Sequence, residues 1–246
     1  MKKFLAVPVV AAVVALLLVT FPSWAGAAAT ASPAASAAPT TGVIKGKVLG
    51  PNHQPLAGTC VVMFTPTSIV SFPTTSTGAY RATGLSGEVE VVGQICSGSS
   101  PDAPVVYDDH PGLEGNSNID QDIDVTPGSV TPDINIDLVK GGALSATVTD
   151  AVTNAPVVGA DICPYLPALD ADGDQVQSGY CQFTNSSGKV DLTNVVAGST
   201  ILEAFGGSSG YDSTYYDGQS SFQTATPINV TYAHTAKVSF TMTAGG

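Results

Sequence analysis

The chain of 246 residues carries 8 Lys and Arg against 20 Asp and Glu, for a formal net charge of −12. Lys2 and Lys3 stand at the very start, so the rest of the chain holds six basic against twenty acidic residues, a charge of −14. Such a chain lacks the clustered Lys and Arg that phosphate neutralisation needs, which argues against nucleic acid as a partner, while the charge favours solubility.

Residues 1–27 read as an export signal: Lys2 and Lys3, an apolar run from Phe4 to Phe21, then SWAGA with small residues placed for cleavage after Ala25 or Ala27. Pro8 interrupts the apolar run, which favours cleavage over an uncleaved anchor. No Cys follows the run and TMTAGG at the C-terminus is no second apolar span, so a secreted product with no membrane partner after cleavage is expected. Residues 28–41, AATASPAASAAPTT, are all small, hydroxylic or Pro and have nothing to bury; they predict a flexible tether.

From Gly42 onward the pattern changes to short alternating runs such as I-K-G-K-V, E-V-E-V-V, I-N-I-D-L and V-S-F-T-M, with STG, NSSG and PNHQP between them. No helical period competes with this alternation. Much of the pattern occurs twice. Ile44, Gly46 and Val48 align with Leu144, Ala146 and Val148; Pro55 and Gly58 with Pro156 and Gly159; Thr77 to Tyr80 with Ser187 to Val190; Val89 and Val91 with Thr200 and Leu202; and DINIDLVKGG with KVSFTMTAGG. A period of about 104 residues is too long for a solenoid and right for a whole domain. The expected fold is all-β: two tandem β-sandwich domains, residues 42–141 and 142–246, each with one core.

The pattern G-x-V, then P-L-x-G, then T-G-x-Y-x-x-x-G-L-x-G and a closing strand ending in GG resembles the carboxypeptidase regulatory-like domains, relatives of transthyretin-like and Cna-B-type sandwiches. The likeness covers residues 42 to 246 and is better in the first copy, with PLAG at 55–58 and TGAY at 77–80, than in the second, with PVVG and SGKV. It implies a prealbumin-like Greek-key sandwich and a non-catalytic role as stalk, spacer or adhesion module, some relatives being grouped with starch-binding-like domains. It implies no peptidase, and no HxxE zinc pair occurs. Within that frame Pro55 and Gly58 shape the turn between the first two strands, Gly by allowing positive φ or close approach, and Tyr80 continues the alternation into the core.

Four cysteines in an exported chain favour two disulfides over metal ligation, for which no CxxC or Cys/His spacing is present. In the sandwich frame Cys60, on the strand after PLAG, faces Cys96 at the end of EVEVVGQIC, a pairing that related bacterial domains often show. Cys163 and Cys181 stand on two arms of a hairpin closed by LPALDADGDQVQS.

No catalytic residue is identified. His53, His110 and His234 are isolated, each in or beside a turn, and no pair among the twenty acids stands out as acid and base. Neither cofactor nor metal is expected. Asp170, Asp172 and Asp174 begin like a calcium loop, but Gln175 and Cys181 stand where the loop needs Gly and a bidentate Glu, so a solvated hairpin loop is preferred. In NIDQDIDV, Asp120, Asp122 and Asp124 alternate with Ile119, Ile123 and Val125 as the wet face of a strand. The Cna-B comparison also raises an isopeptide bond between Lys45 or Lys47 and Asn135 beside Glu90; alternation turns the lysines and Asn135 outward and argues against it.

Carbohydrate recognition favours exposed rings beside hydrogen-bonding groups. The only Trp, Trp24, lies in the signal. The best remaining cluster is GYDSTYYDGQSSF, giving Tyr211, Tyr215, Tyr216 and Asp217 as candidate ligand-binding residues, with Tyr107 at the matching place in the first copy. The recurrence of an aromatic there favours packing against the sandwich edge over ligand contact. The expectation is therefore a secreted structural or adhesive protein whose partner is another cell-surface protein, with a starch-binding-like module for extracellular polysaccharide as the alternative.

Overall fold

A computed structural model describes residues 40–107, 110–113, 122–170, 173–206 and 209–245. The expected signal, Trp24, nearly all of the tether, Asp120 and Asp172 lie outside the described residues. Residues Ala38–Gly246 form one compact unit. No helix among the described residues is long and apolar enough to cross a membrane.

The first set of strands is β1 (Gly42–Leu49), β2 (Thr59–Phe64), β3 (Ile69–Pro73), β4 (Ala79–Leu85), β5 (Gly87–Ile95), β6 (Val105–Val106), β7 (His110–Pro111), β8 (Ile123–Val125), β9 (Val130–Thr131) and β10 (Ile136–Asp137). The second is β11 (Gly141–Asp150), β12 (Asp161–Leu169), β13 (Gln175–Gln177), β14 (Gln182–Phe183), β15 (Lys189–Val196), β16 (Gly198–Phe205), β17 (Thr214–Tyr215), β18 (Ile228–Val230) and β19 (Thr235–Met242). Each set makes one sandwich. In the first, a sheet β10-β1-β4 faces a sheet β3-β2-β5-β6-β7; in the second, β15-β11-β19 faces β13-β12-β16-β17. No strand is shared. In both, the first strand runs parallel to the last, and the strands between pair antiparallel except β9, which also runs parallel to β1.

Alternation decides which side chains enter each core. On β1, Ile44 and Val48 point inward and Lys45 and Lys47 outward; on β11, Leu144, Ala146 and Val148 point inward. They meet Val61, Met63, Val89 and Val91 in the first sandwich, and Ile162, Leu202 and Ala204 in the second. The turn after β1 is built as expected: Pro55 bridges to Leu49, and Gly58 takes φ +77°, with Pro156, Thr149 and Gly159 (φ +77°) repeating the arrangement.

Tyr80 reaches the first core, 5% exposed, and its hydroxyl donates to the Ile134 carbonyl at 2.7 Å, joining β4 to the segment before β10. Burial pushes its pKa up. Tyr80→Phe leaves that carbonyl unpaired in the interior, so urea denaturation is expected to show a loss of about 1–3 kcal/mol. An unchanged midpoint would mean the bond contributes nothing net.

The chain passes from one sandwich to the other through Leu138, Val139 and Lys140, between β10 and β11. Leu138 is 1% exposed in the first core, Val139 O accepts from Ala103 N of the first sandwich (2.9 Å), and Lys140 O accepts from Ala197 N of the second (2.8 Å). Further bonds cross directly. Asn194, at φ +57°, donates through Nδ2 to the carbonyls of Ser100 (2.8 Å) and Asp102 (2.9 Å), and Leu113 N donates to Gln177 O at 2.7 Å. The Tyr180 hydroxyl donates to Gln94 Oε1. The Lys140 ammonium lies 5.8 Å from the centre of the Tyr232 ring, within cation–π range.

Candidate functional site

The outer face of the sheet β13-β12-β16-β17 carries a polar cluster. Inward positions on β12 and β16 are taken by Ile162, Leu202 and Ala204, so Cys163, Tyr165, Ile201 and Glu203 lie on the opposite face. Strand register places Cys163, Glu203 and Tyr215 side by side. Gln175 and Gln177 flank inward-pointing Val176 on β13 and share that outer face. The chain from 209 to 227 then folds over part of it, seating Phe222 against Tyr215 edge to face, 6.3 Å between ring centres at 72°.

What remains open is a cleft of about 620 Å³ lined by Tyr165, Asp174, Gln175, Gln177, Glu203, Phe205 and Tyr215. Glu203 is 7% exposed, Tyr165 7% and Tyr215 9%. Gln175 Nε2 donates to the Tyr215 hydroxyl at 2.9 Å, and strand register sets Tyr215 beside Glu203. Burial raises the Glu203 carboxyl above the usual carboxylate range, with the neighbouring Tyr215 hydroxyl opposing it. Burial likewise raises Asp161 next to the disulfide, and burial followed by the nearby Glu203 pushes Tyr165 up to about 12.

Both cysteine pairs are joined as expected, Cys60 to Cys96 with Cα atoms 5.7 Å apart and Cys163 to Cys181 with Cα atoms 4.3 Å apart. The sulfurs of Cys163 and Cys181 lie close to the Asp161 carboxylate, but bonded to each other they offer a metal no thiolate.

The four candidate ligand-binding residues are not brought together as an exposed platform. Tyr211 and Tyr216 are half-buried against the main core, Tyr216 standing edge-on to Phe240 at 6.2 Å and 90°. Tyr215 is buried in the outer cluster. Asp217 is exposed at φ +65° in a short 3-10 turn, Tyr216–Gly218, and its Oδ2 accepts from Thr226 at 3.2 Å. Only Tyr215 lines the cleft. Tyr107, at the matching place in the first sandwich, is half-buried against the core.

In the DADGD loop, Asp170 Oδ1 accepts from Asp174 N at 2.7 Å, and Asp170 N donates to Asp174 O at 2.9 Å, closing the hairpin turn from within. Lys45, Lys47 and Asn135 are all exposed, and Asn135 Oδ1 accepts the backbone N–H of Lys47 at 3.0 Å, so this asparagine closes a strand edge. His53 departs from expectation: its Nδ1 lies 3.0 Å from Asp137 Oδ2, because the turn after β1 brings it beside the last strand of the same sandwich. The His53 side chain is 77% exposed and that of Asp137 37%. Glu203, Tyr165, Gln175 and Gln177 were not singled out by sequence, although L-E-A-F and Q-V-Q each place a polar residue opposite a core position.

No protein-family model matches the chain, and no curated protein matches it. The carboxypeptidase regulatory-like resemblance therefore rests on the motifs alone. Among solved structures, the Bacillus anthracis TIE protein aligns at 15% identity and TM-score 0.33, over 83% of this chain and 34% of that one, so the chain spans about a third of its length. The minor pilin GBS52 of Streptococcus agalactiae aligns at 13% identity and TM-score 0.32, over 83% of this chain and 96% of that one. The shaft pilin SpaA of Lactobacillus rhamnosus GG gives 11% and 0.30, over 84% and 99%. Values this low assign no family.

Proposed function

We propose that the chain is exported, cut after Ala25 or Ala27, and works outside the cell as a non-enzymatic structural or adhesive pair of domains, residues 42–141 and 142–246, held out on the 28–41 tether. The observation that carries this is the joint. A linker of Leu138, Val139 and Lys140, hydrogen-bonded to both sandwiches, supports a fixed separation rather than the relative motion that is the default between domains. Two disulfides fit an oxidising compartment, and the charge of −14 outside the first segment keeps such a module soluble.

The partner in this reading is another cell-surface protein. Covered rings at Tyr215 and Tyr165 leave little apolar face for a pyranose to stack on, which disfavours the polysaccharide alternative. Mixing the exported protein with insoluble starch, cellulose and cell-wall polysaccharide should leave it in the supernatant. Depletion by any of them would replace the structural reading with a carbohydrate-binding one. Intact mass of the exported form should begin at Gly26 or Ala28, and a form retaining Met1 would remove the secreted assignment.

A further inference from the structure

Glu203 is a buried acid beside which the described residues place no Lys or Arg. All six basic residues beyond Lys3 are placed elsewhere: Lys45, Lys47 and Arg81 on the first sandwich, Lys140 over Tyr232, and Lys189 and Lys237 on the opposite sheet of the second. Gln175 donates to the Tyr215 hydroxyl, and strand register sets Tyr215 beside Glu203. Tyr165, Tyr215 and Phe205 wall the cleft around it. A carboxylate removed from water without a counter-charge is disfavoured, and a cation brought to it between aromatic rings is held by both.

We propose that this cleft receives the guanidinium group of an arginine side chain presented by a partner protein, with Glu203 as its acceptor and Tyr165 and Tyr215 as its walls. A planar guanidinium matches a carboxylate with two parallel donors, so its recognition here rests on Glu203 and not on an exposed ring face. The chain's negative charge steers a cationic segment towards it. The site gives the adhesive reading a partner chemistry, and its test is independent of polysaccharide depletion.

The test is NMR titration of the full mature chain with Nα-acetyl-arginine methylamide. Saturable shifts are expected at Gln175, Gln177 and Glu203. Glu203→Gln keeps the shape and removes the charge; its affinity should fall by about tenfold or more, as for loss of one partner from a desolvated pair. Asp124→Asn changes the net charge equally at an exposed site on β8 and should leave affinity unchanged.

The wild-type protein gives a second readout should Glu203→Gln fail to fold. Asp161, Asp174, Tyr165 and Tyr215 are the titratable groups around Glu203. A guanidinium prefers the ionised carboxylate, so affinity should rise as pH rises through the Glu203 titration, and saturating ligand should move that titration down. Absence of saturable shifts, equal weakening by Asp124→Asn, or an affinity flat across the Glu203 titration would each overturn the proposal. So would shifts of the same residues by maltohexaose but not by the arginine compound, which would make the cleft a sugar site.

Discussion

Replacing Cys60 and Cys96 together by Ala is expected to lower stability by about 4 kcal/mol, since releasing their 36-residue separation restores that much chain entropy to the unfolded state. The bond ties the start of β2 to the end of β5, neighbours in the sheet through the pair Thr59 and Ile95, and the loop it closes contains β3, β4 and β5. Cys163 and Cys181, separated by 18 residues, close a shorter loop, and their replacement should lower stability by about 3 kcal/mol. Urea denaturation of the full chain, comparing both double variants with the parent, checks the order as well as the sizes. A larger loss from the shorter loop would show that native packing around Cys163, rather than loop closure, sets the contribution.

Leu202→Ala should be comparably severe, at about 2–5 kcal/mol, because a fully buried side chain leaves a cavity that close-packed neighbours fill only in part. Leu202 is 0% exposed on β16 and belongs to the core cluster that includes Leu144, Val148 and Met242 from the facing sheet. Val152, by contrast, is 84% exposed in the turn after β11, and Val152→Ala is expected to stay within about 0.5 kcal/mol. Similar losses from the two variants in urea melts would mean that the second core is not where the structure puts it.

The strand framework was legible because alternation and turn chemistry are local. Residues that align in sequence take matching places in the sheets: Gly46 pairs with Tyr80 as Ala146 pairs with Val190, Val89 with Ile123 as Thr200 with Ile228, and Val48 with Ile136 as Val148 with Phe240. A slip of one residue in any of these would have turned a core face to water, so the apolar pattern specified register tightly. The outward lysines of β1 followed from the same rule.

The cleft was not legible, since its burial comes from long-range folding. Parity places Glu203 opposite Leu202 and Ala204, which by itself reads as a solvated acid on a strand. It is the packing of Tyr215 and Phe222 beside β16, from a segment with little regular structure, that removes it from water. Tyr211, Tyr215 and Tyr216 could be grouped by their closeness in the chain, but Tyr211 and Tyr216 pack on the main core while Tyr215, next to Tyr216, turns to the outer cluster. His53 looked isolated because Asp137 is distant in sequence, and only the parallel pairing of β1 with β10 brings them together.

The central claim is that the two sandwiches are held in one fixed relation by Leu138, Val139 and Lys140 and by the bonds of Asn194 and Leu113. Residual dipolar couplings measured on backbone amides of the full mature chain test it most directly. A single alignment tensor should fit the strands of both sandwiches with the same magnitude and orientation. Separate tensors of different magnitude for residues 42–137 and 141–242 would show independent tumbling and contradict it.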